Sequence, residues 1–428
     1  MPTITSTPTK KTTKKVSIAI LGFGKEGQAL ARYFVTTEIT DIVVLDQKLD
    51  NLPKEFENLK LQKDLNIPKV TTAYKSPGIA LNKIINEHKV EISSLITMLF
   101  QKLDMNKVIA VTGTKGKSTT ASLIQHVLVD NNYKSQLLGN IGSINTDLLD
   151  NFDPESYYVF ELSSFQCQML RNSPHIAIWT NFFVDHQDVH SSMEEYYNAK
   201  ANITKFQASE DYLIKSTQIP DNIDTIAQII NAVPKVKFAT KLQGDHNQIN
   251  CQLVMEACLR LGLSKDKILK SIESYEPLKG RIEMVGMHKD IKFYADDLAT
   301  IPEATWAAIQ SFGNKNLDTI IVGGYDKGID YTELANNLTK TKIKNFICFE
   351  PTGSKIVAEL DRSKCNIMTA RDMKKAVELA YKLTTKGGIC LMSTASASFG
   401  MFANAYDRGE QYRNNVKELG EREKPTKN

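Results

Sequence analysis

The run Val108-Ile-Ala-Val-Thr-Gly-Thr-Lys-Gly-Lys-Ser-Thr-Thr120 constrains the fold more than any other stretch of the chain. Its first four residues are apolar and make a buried strand. Gly113 and Gly116 let the backbone turn so that amide groups converge, and a helical pattern begins at Thr119. Strand, glycine turn and helix start, in that order, predict a phosphate loop, with a chance match in a chain of this length as the bland alternative. Backbone amides of Gly113, Thr114, Lys115, Gly116 and Thr119 cradle polyphosphate, Lys117 reaches the terminal phosphates, and Ser118 is placed for magnesium. The general pattern asks for glycine where Val111 stands, so this loop is a variant.

A second glycine turn lies upstream. A strand from residue 16 enters Gly22-Phe-Gly-Lys-Glu-Gly27, an amphipathic helix follows, and Asp46 ends the next strand, 41–45. This spacing is the dinucleotide fingerprint, and the same geometry serves NAD or another nucleotide diphosphate. Lys75-Ser-Pro-Gly-Ile79 is a turn closing a further strand. Beyond the phosphate loop, a helix at 120–131 leads to Gly139-Asn-Ile-Gly142 and then to the strand 157–161. That strand delivers Glu161 to its carboxyl end, in position to hold magnesium near Ser118. The strand 175–181 ends in a loop crowded with Asp185, His186 and Asp188, for which a solvated polar loop is the bland alternative. Lys200 lies on a helix at 193–204, where pattern alone makes it a surface charge. Gly244-Asp-His-Asn-Gln-Ile-Asn250 opens a helix running to about residue 261. His246 and Asn247 fall at its positive end, and the Asn247 amide offers a paired donor and acceptor suited to an adenine edge. A helix cap at Asp245 is the plainer reading. The last third alternates again, with strands at 291–294, 319–322, 345–349 and 389–392 and helices at 303–311, 355–360 and 373–383.

With 428 residues, 42% hydrophobic and 24% charged, the chain suits two or three domains with substantial cores. A net charge of +4 is small for this length and argues against nucleic acid as a partner. The six cysteines form no CxxC pair and read as free thiols in a reducing compartment, so a cytoplasmic location is expected. Residues 1–15 read as a disordered basic tail, neither signal peptide nor anchor, and no apolar run approaches the roughly 20 residues of a membrane span.

In order along the chain, these motifs resemble the Mur ligase family of ATP-dependent amide-forming enzymes, from residue 16 nearly to the end. Gly113-Thr-Lys-Gly-Lys-Ser-Thr119 is similar to that family's own shortened phosphate loop, which accounts for Val111. Glu161-Leu-Ser-Ser-Phe-Gln166, Asn181 with Asp185 and His186, Tyr197 to Lys200, His246 and Asn247 with Asn250, Arg281, Asp296, Gly323 to Lys327 and Ser393 to Arg408 recur in the expected sequence. The first glycine turn, the Ser-Pro-Gly turn and the final serine-alanine run are most similar to the members that add D-glutamate.

The resemblance implies an α/β chain of three domains: a Rossmann-like N-terminal domain at 16–102 binding a UDP-linked substrate, a central P-loop ATPase-type parallel sheet domain at 103–277, and a C-terminal Rossmann-like α/β domain at 278–428 binding an amino acid. It implies a monomer acting on small molecules. ATP phosphorylates the carboxylate of UDP-N-acetylmuramoyl-L-alanine and the amine of D-glutamate attacks the acyl phosphate. By the same resemblance Lys117, His186 and Lys200 are catalytic. Two magnesium ions are held by Ser118, Glu161, His186 and a carbamate formed from Lys200 and carbon dioxide. Asn247, Arg281 and Asp296 meet ATP together with residues 113–119. Gly24, Lys25, Glu26, Asp46, Ser76, Gly78, Asn140, Ser163 and Gln166 bind the UDP-linked substrate, and Thr300, Lys327 and Ser398 bind D-glutamate.

Departures cluster around substrate recognition. Asp296-Asp-Leu-Ala-Thr-Ile301 stands where the family has Asp-Ser-Lys-Ala-Thr-Asn, so an expected lysine is Leu298, and Lys115 replaces an asparagine and is the candidate to compensate. Ala405 replaces an aromatic, Thr394 a proline, and the segment 204–243 is short enough to have lost peripheral strands. Three other readings stay open: a Mur-type or folylpolyglutamate-type ligase adding a different residue, an NAD-dependent oxidoreductase, and an inactive nucleotide-binding protein.

Overall fold

The computed structural model describes residues 16–37, 39, 41–141, 146–183, 190–313 and 315–422. The chain divides into two compact units. One runs to Val233 and takes in Gln252–Ile268, and the other holds Pro234–Cys251 and everything from Leu269.

The first unit contains two sheets. In the first, β1 (Ser17–Leu21), α1 (Lys25–Thr36), β2 (Asp41–Leu45), β3 (Lys60–Gln62), β4 (Thr72–Lys75), β5 (Glu91–Ser93) and α2 (Leu95–Lys102) follow in chain order. The strands stand in the order β3-β2-β1-β4-β5, every pair parallel. The order in which strands are added reverses between β1 and β4, which opens a crevice beyond their carboxyl ends. Ile18, Ala19, Ile20 and Leu21 are all buried, as a central parallel strand covered on both faces requires.

The second sheet is built from β6 (Val108–Thr112), α3 (Lys117–Asp130), β7 (Ser135–Gly139), β8 (Tyr157–Glu161), α4 (Ser164–Cys167), β9 (Ile176–Trp179), α5 (Met193–Ala201), β10 (Tyr212–Ser216) and β11 (Gln228–Ala232). Its order is β11-β10-β9-β6-β8-β7, again all parallel. β6 is the switch strand, with β8 on one side and β9 on the other, so the phosphate loop emerges at the crevice. The short segment 204–243 still supplies the edge strand β11. One apolar cluster runs from Ile18 and Phe34 through Leu99 and Phe100 to Phe160 and Trp179, joining both sheets of this unit.

After α6 (His246–Arg260) and α7 (Lys265–Ser274), the second unit carries β12 (Glu283–His288), β13 (Ile291–Ala295), α8 (Pro302–Gln310), β14 (Leu317–Gly323), α9 (Thr332–Leu338), β15 (Asn345–Phe349), α10 (Thr352–Ile356), β16 (Asn366–Thr369), α11 (Met373–Leu383), β17 (Ile389–Met392) and α12 (Ala405–Arg422). The sheet order is β12-β13-β17-β14-β15-β16, parallel except for β12 at the edge. One expected helix is misplaced. A helix is expected at 355–360, but α10 starts at Thr352, whose hydroxyl donates to the Gly324 carbonyl at 3.0 Å and accepts from the Gly324 N–H at 2.8 Å, fixing the turn earlier in the chain. No helix of the described residues is long and apolar enough to cross a membrane.

Candidate active site

The crevice of the first sheet is a cleft of about 490 Å³, lined by Gly24, Lys25, Glu26, Asp46, Ser76, Gly78 and Asn140 among others. Seven of the nine residues expected to bind the UDP-linked substrate therefore meet in one place. Gly22 takes φ +83°, and a Cβ at Gly27 would lie 2.2 Å from the Gly22 carbonyl oxygen, so both positions of the turn require glycine. Asp46 closes the turn: Oδ2 accepts from Phe23 N–H and Oδ1 from Lys48 N–H, both at 2.8 Å. The Ser76 hydroxyl donates to the Gly22 carbonyl at 2.7 Å, tying the end of β4 to the end of β1.

Glu26, which lines this cleft, and Lys75 at the end of β4 are buried, 7% and 1% exposed. Burial pushes the Glu26 carboxyl up to about 7, against the opposing effects of a hydrogen bond from Gln166 and of the Lys75 charge. Burial also pushes the Lys75 ammonium down to about 8, opposed by Glu26. Gln166 donates from Nε2 to Glu26 Oε1 at 2.9 Å, and its own Oε1 accepts from the Ser163 N–H at 3.0 Å in a capping box at the start of α4. Ser163 and Gln166, expected at the far end of the same substrate, are thus linked to the first glycine turn. Sequence reasoning missed this link and the burial of Lys75. A lysine beside an apolar strand in Lys75-Ser-Pro-Gly78 was the available signal.

The phosphate loop is held from below. Gly113 has φ +147°, and a Cβ there would lie 2.0 Å from Thr180 Oγ1; Gly116, at φ +79°, is the cap of α3. Thr180 Oγ1 and Asn181 Nδ2 donate to the Lys115 carbonyl at 2.6 and 3.0 Å, and Asn181 Oδ1 accepts from the Lys115 N–H at 2.8 Å. Lys117 Nζ donates to the carbonyls of Gly113 and Thr114 at 3.1 and 2.9 Å, folded back over the loop. The Lys115 side chain is exposed, and Ser118 stands in the first turn of α3.

Lys200 is not a surface charge. It is 1% exposed, donates to the Gly113 carbonyl at 2.7 Å and sits 4.6 Å from the centre of the Tyr196 ring. Glu161 pairs in register with Val111 at the end of β8, is 4% exposed, and its Oε2 is buried without a hydrogen-bond partner. An orphaned carboxylate oxygen at a strand end beside a phosphate loop fits a cation that it would ligate, so the donor set suits magnesium. Among the described residues no group of three or more His, Cys, Asp and Glu could hold a metal ion. Asp185, His186 and Asp188 lie outside the described residues. His190, which carried no expectation, hydrogen-bonds Ser164 at 2.9 Å and stacks on Phe165 at 5.1 Å.

In the second unit, Asn247 donates from Nδ2 to the Gln243 carbonyl at 2.6 Å and accepts from Asn250 at 2.9 Å, so its amide is engaged by the turn before its helix and by the helix itself. Asp296 follows β13. Burial pushes its carboxyl up to about 6, opposed by the Ser393 hydroxyl at 3.1 Å and by the Arg281 charge. Asp297, the departure beside it, is buried and receives Arg413 Nη2 at 2.6 Å, while Arg408 Nη2 donates to its carbonyl at 2.9 Å. Leu298 and Thr300 are half-buried nearby, and nothing in the structure explains the leucine. Lys327 Nζ lies 5.4 Å from the Phe399 ring, and Tyr325 N–H donates to Ala397 at 2.9 Å. Those contacts bring the Lys327 loop against the segment carrying Ser398.

Residues 111–289 match the Mur ligase middle domain, and residues 280–396 match the Mur ligase, glutamate ligase domain. A UDP-N-acetylmuramoylalanine–D-glutamate ligase from Acetivibrio thermocellus is 29% identical over 466 residues, covering 96% of this chain and 98% of its own. A protein of the same name from Cytophaga hutchinsonii is 31% identical over 385 residues, covering 81% of this chain and 84% of its own. Among solved structures, a UDP-N-acetylmuramate-alanine ligase from Thermotoga maritima is similar with a TM-score of 0.56 at 16% identity, over 94% of this chain and 99% of that one, a likeness of fold alone. With its variant phosphate loop and its parallel sheets, the chain belongs to the Mur ligase family.

Proposed function

We propose that this chain joins D-glutamate to UDP-N-acetylmuramoyl-L-alanine with cleavage of ATP to ADP and phosphate. The observation that carries the reading is that relatives of that name align with nearly the whole chain. The site chemistry supports it. Moving a γ-phosphoryl group onto a carboxylate brings anions together, and the loop answers with the start of α3 and with Lys117. Glu161 and Ser118 are the residues to hold magnesium, which when bound supplies further positive charge against the phosphates.

Several finer assignments are ours. The three-domain division at 16–102, 103–277 and 278–428 is proposed on the three sheets; the compact units differ from it by holding the first two sheets in one unit and by grouping 234–251 and 269–277 with the third sheet. Gly24, Lys25, Asp46, Ser76, Gly78 and Asn140 are proposed to hold the UDP portion, and Ser163 and Gln166 the muramoyl-alanine end. Asn247, Arg281 and Asp296 are proposed for ATP, and Thr300, Lys327 and Ser398 for D-glutamate. For Lys200 we propose a carbamate: neutral Nζ adds to the carbon of carbon dioxide and releases one proton, leaving two oxygens suited to a second magnesium, for which His186 is the other ligand we propose. A carbamate keeps one N–H, so the bond to the Gly113 carbonyl is compatible with it.

Phosphate release with UDP-N-acetylmuramoyl-L-alanine and D-glutamate, set against other amino acids, tests the function. D-glutamate is expected to give the highest kcat/KM. Preference for another amino acid would replace the D-glutamate assignment, with Leu298 and Ala405 as the residues behind it.

A further inference from the structure

A buried chain of hydrogen bonds joins the glycine turn of the first sheet to the cap of α4 in the second. The Ser163 N–H and hydroxyl both donate to Gln166 Oε1, at 3.0 and 3.1 Å. With that oxygen committed as acceptor, the Gln166 amide has one workable orientation, and Nε2 must donate elsewhere. It donates to Glu26 Oε1 at 2.9 Å. Gln166 is 2% exposed, so water does not stand in for the carboxyl. Without an acceptor at Glu26 the Nε2 group is left as a buried, unpaired donor and the amide is held from the Ser163 side alone, so its position is no longer fixed at both ends.

The other oxygen, Glu26 Oε2, is shielded from solvent and has no hydrogen-bond partner among the described residues. Glu26 therefore lines the cleft without offering it a carboxyl oxygen. That arrangement suits an anionic occupant, since a carboxylate facing a diphosphate would repel it.

We propose that Glu26 is a positioning residue for the acceptor end of the UDP-linked substrate: it fixes the Gln166 amide, and through it Ser163, and does not itself contact UDP. This rests on the reading of Ser163 and Gln166 as contacts of the muramoyl-alanine group.

The test compares Glu26→Met, which keeps volume but removes the acceptor, with Glu26→Gln, which restores one. Glu26→Asp serves as a second disrupting variant should the methionine fail to fold. For the disrupting variants, kcat/KM for UDP-N-acetylmuramoyl-L-alanine is expected to fall about tenfold or more, in keeping with a lost hydrogen bond to a carboxyl. The Kd for UDP alone and the KM for ATP are expected to hold, and Glu26→Gln should recover most of the loss. A double-mutant cycle with Gln166→Met should be non-additive. Equal weakening of UDP and of the full substrate would place Glu26 in direct contact with UDP and overturn the proposal. So would unchanged kcat/KM, no recovery by glutamine, or additive losses. A wild-type chain without D-glutamate-dependent phosphate release would instead sink the function, since these comparisons presuppose it.

Discussion

Replacing Glu26 by glutamine should flatten the pH dependence of stability around the first sheet. Burial raises the folded-state pKa of Glu26 from 4.5 to about 7. Between those values the folded protein keeps a proton that the unfolded chain has released. The stabilising contribution is therefore fully present below about pH 4.5 and is lost as pH rises through about 7. The whole displacement corresponds to about 3 kcal/mol, and the part lost between about pH 5 and about pH 7 to about 2 kcal/mol. Lys75 titrates near 8 and stays charged throughout that window, so its contribution is nearly constant there. The slope is the informative quantity. A glutamine may not be read from its offset, because its amide NH2 would sit where Oε2 now has no partner, at a cost independent of pH. Native-state hydrogen exchange of amides in β1 and β4, corrected for intrinsic rates, measures local opening without requiring the whole chain to unfold in one step. Wild-type protection is expected to fall by roughly thirty-fold across the window, from the same linkage, and Glu26→Gln protection to stay level. Parallel slopes in the two proteins would refute the assignment of the proton to Glu26.

Two further outcomes follow from other parts of the molecule. Lys200→Ala should lose activity and regain part of it with added short-chain carboxylic acids, which can occupy the place of carbamate oxygens; full activity in the unsupplemented variant would remove Lys200 from the mechanism. Arg413→Met should destabilise the second unit by about 3–5 kcal/mol, because Asp297 is buried and would lose its 2.6 Å partner, and adding Asp297→Leu should return much of that in urea unfolding. A midpoint unmoved by Arg413→Met would show that Arg408 alone suffices for Asp297.

What the sequence made legible is what local pattern controls. The apolar run 108–111 and the two following glycines locate β6, its loop and α3, because a buried parallel strand and a positive φ leave few residue choices. Glu161 was placed at its strand end for the same reason. The helix α12 was not read, because its many charges look like a solvated tail, yet Arg408, Tyr412, Val416 and Leu419 recur at helical spacing and are all buried. The spacing was visible, but an arginine on the buried face hid it; Arg408 is there because its guanidinium reaches the carbonyls of Asp297 and Ser396.

Lys200 and Glu26 show the limit more sharply. On a helix, lysine at one position and glutamate at another carry no local signal of burial. Each is buried because a distant segment supplies the partner: the Gly113 carbonyl, 87 residues away, for Lys200, and Gln166, 140 residues away, for Glu26. A family resemblance can transfer a role to Lys200 because the role belongs to a motif. It could not reveal the Glu26 link, since that depends on where an amide hydrogen points once two turns have met. Residues whose chemistry is set by the sheet reversal are therefore readable from spacing, whereas residues that orient them become readable only after the fold has brought their partners together.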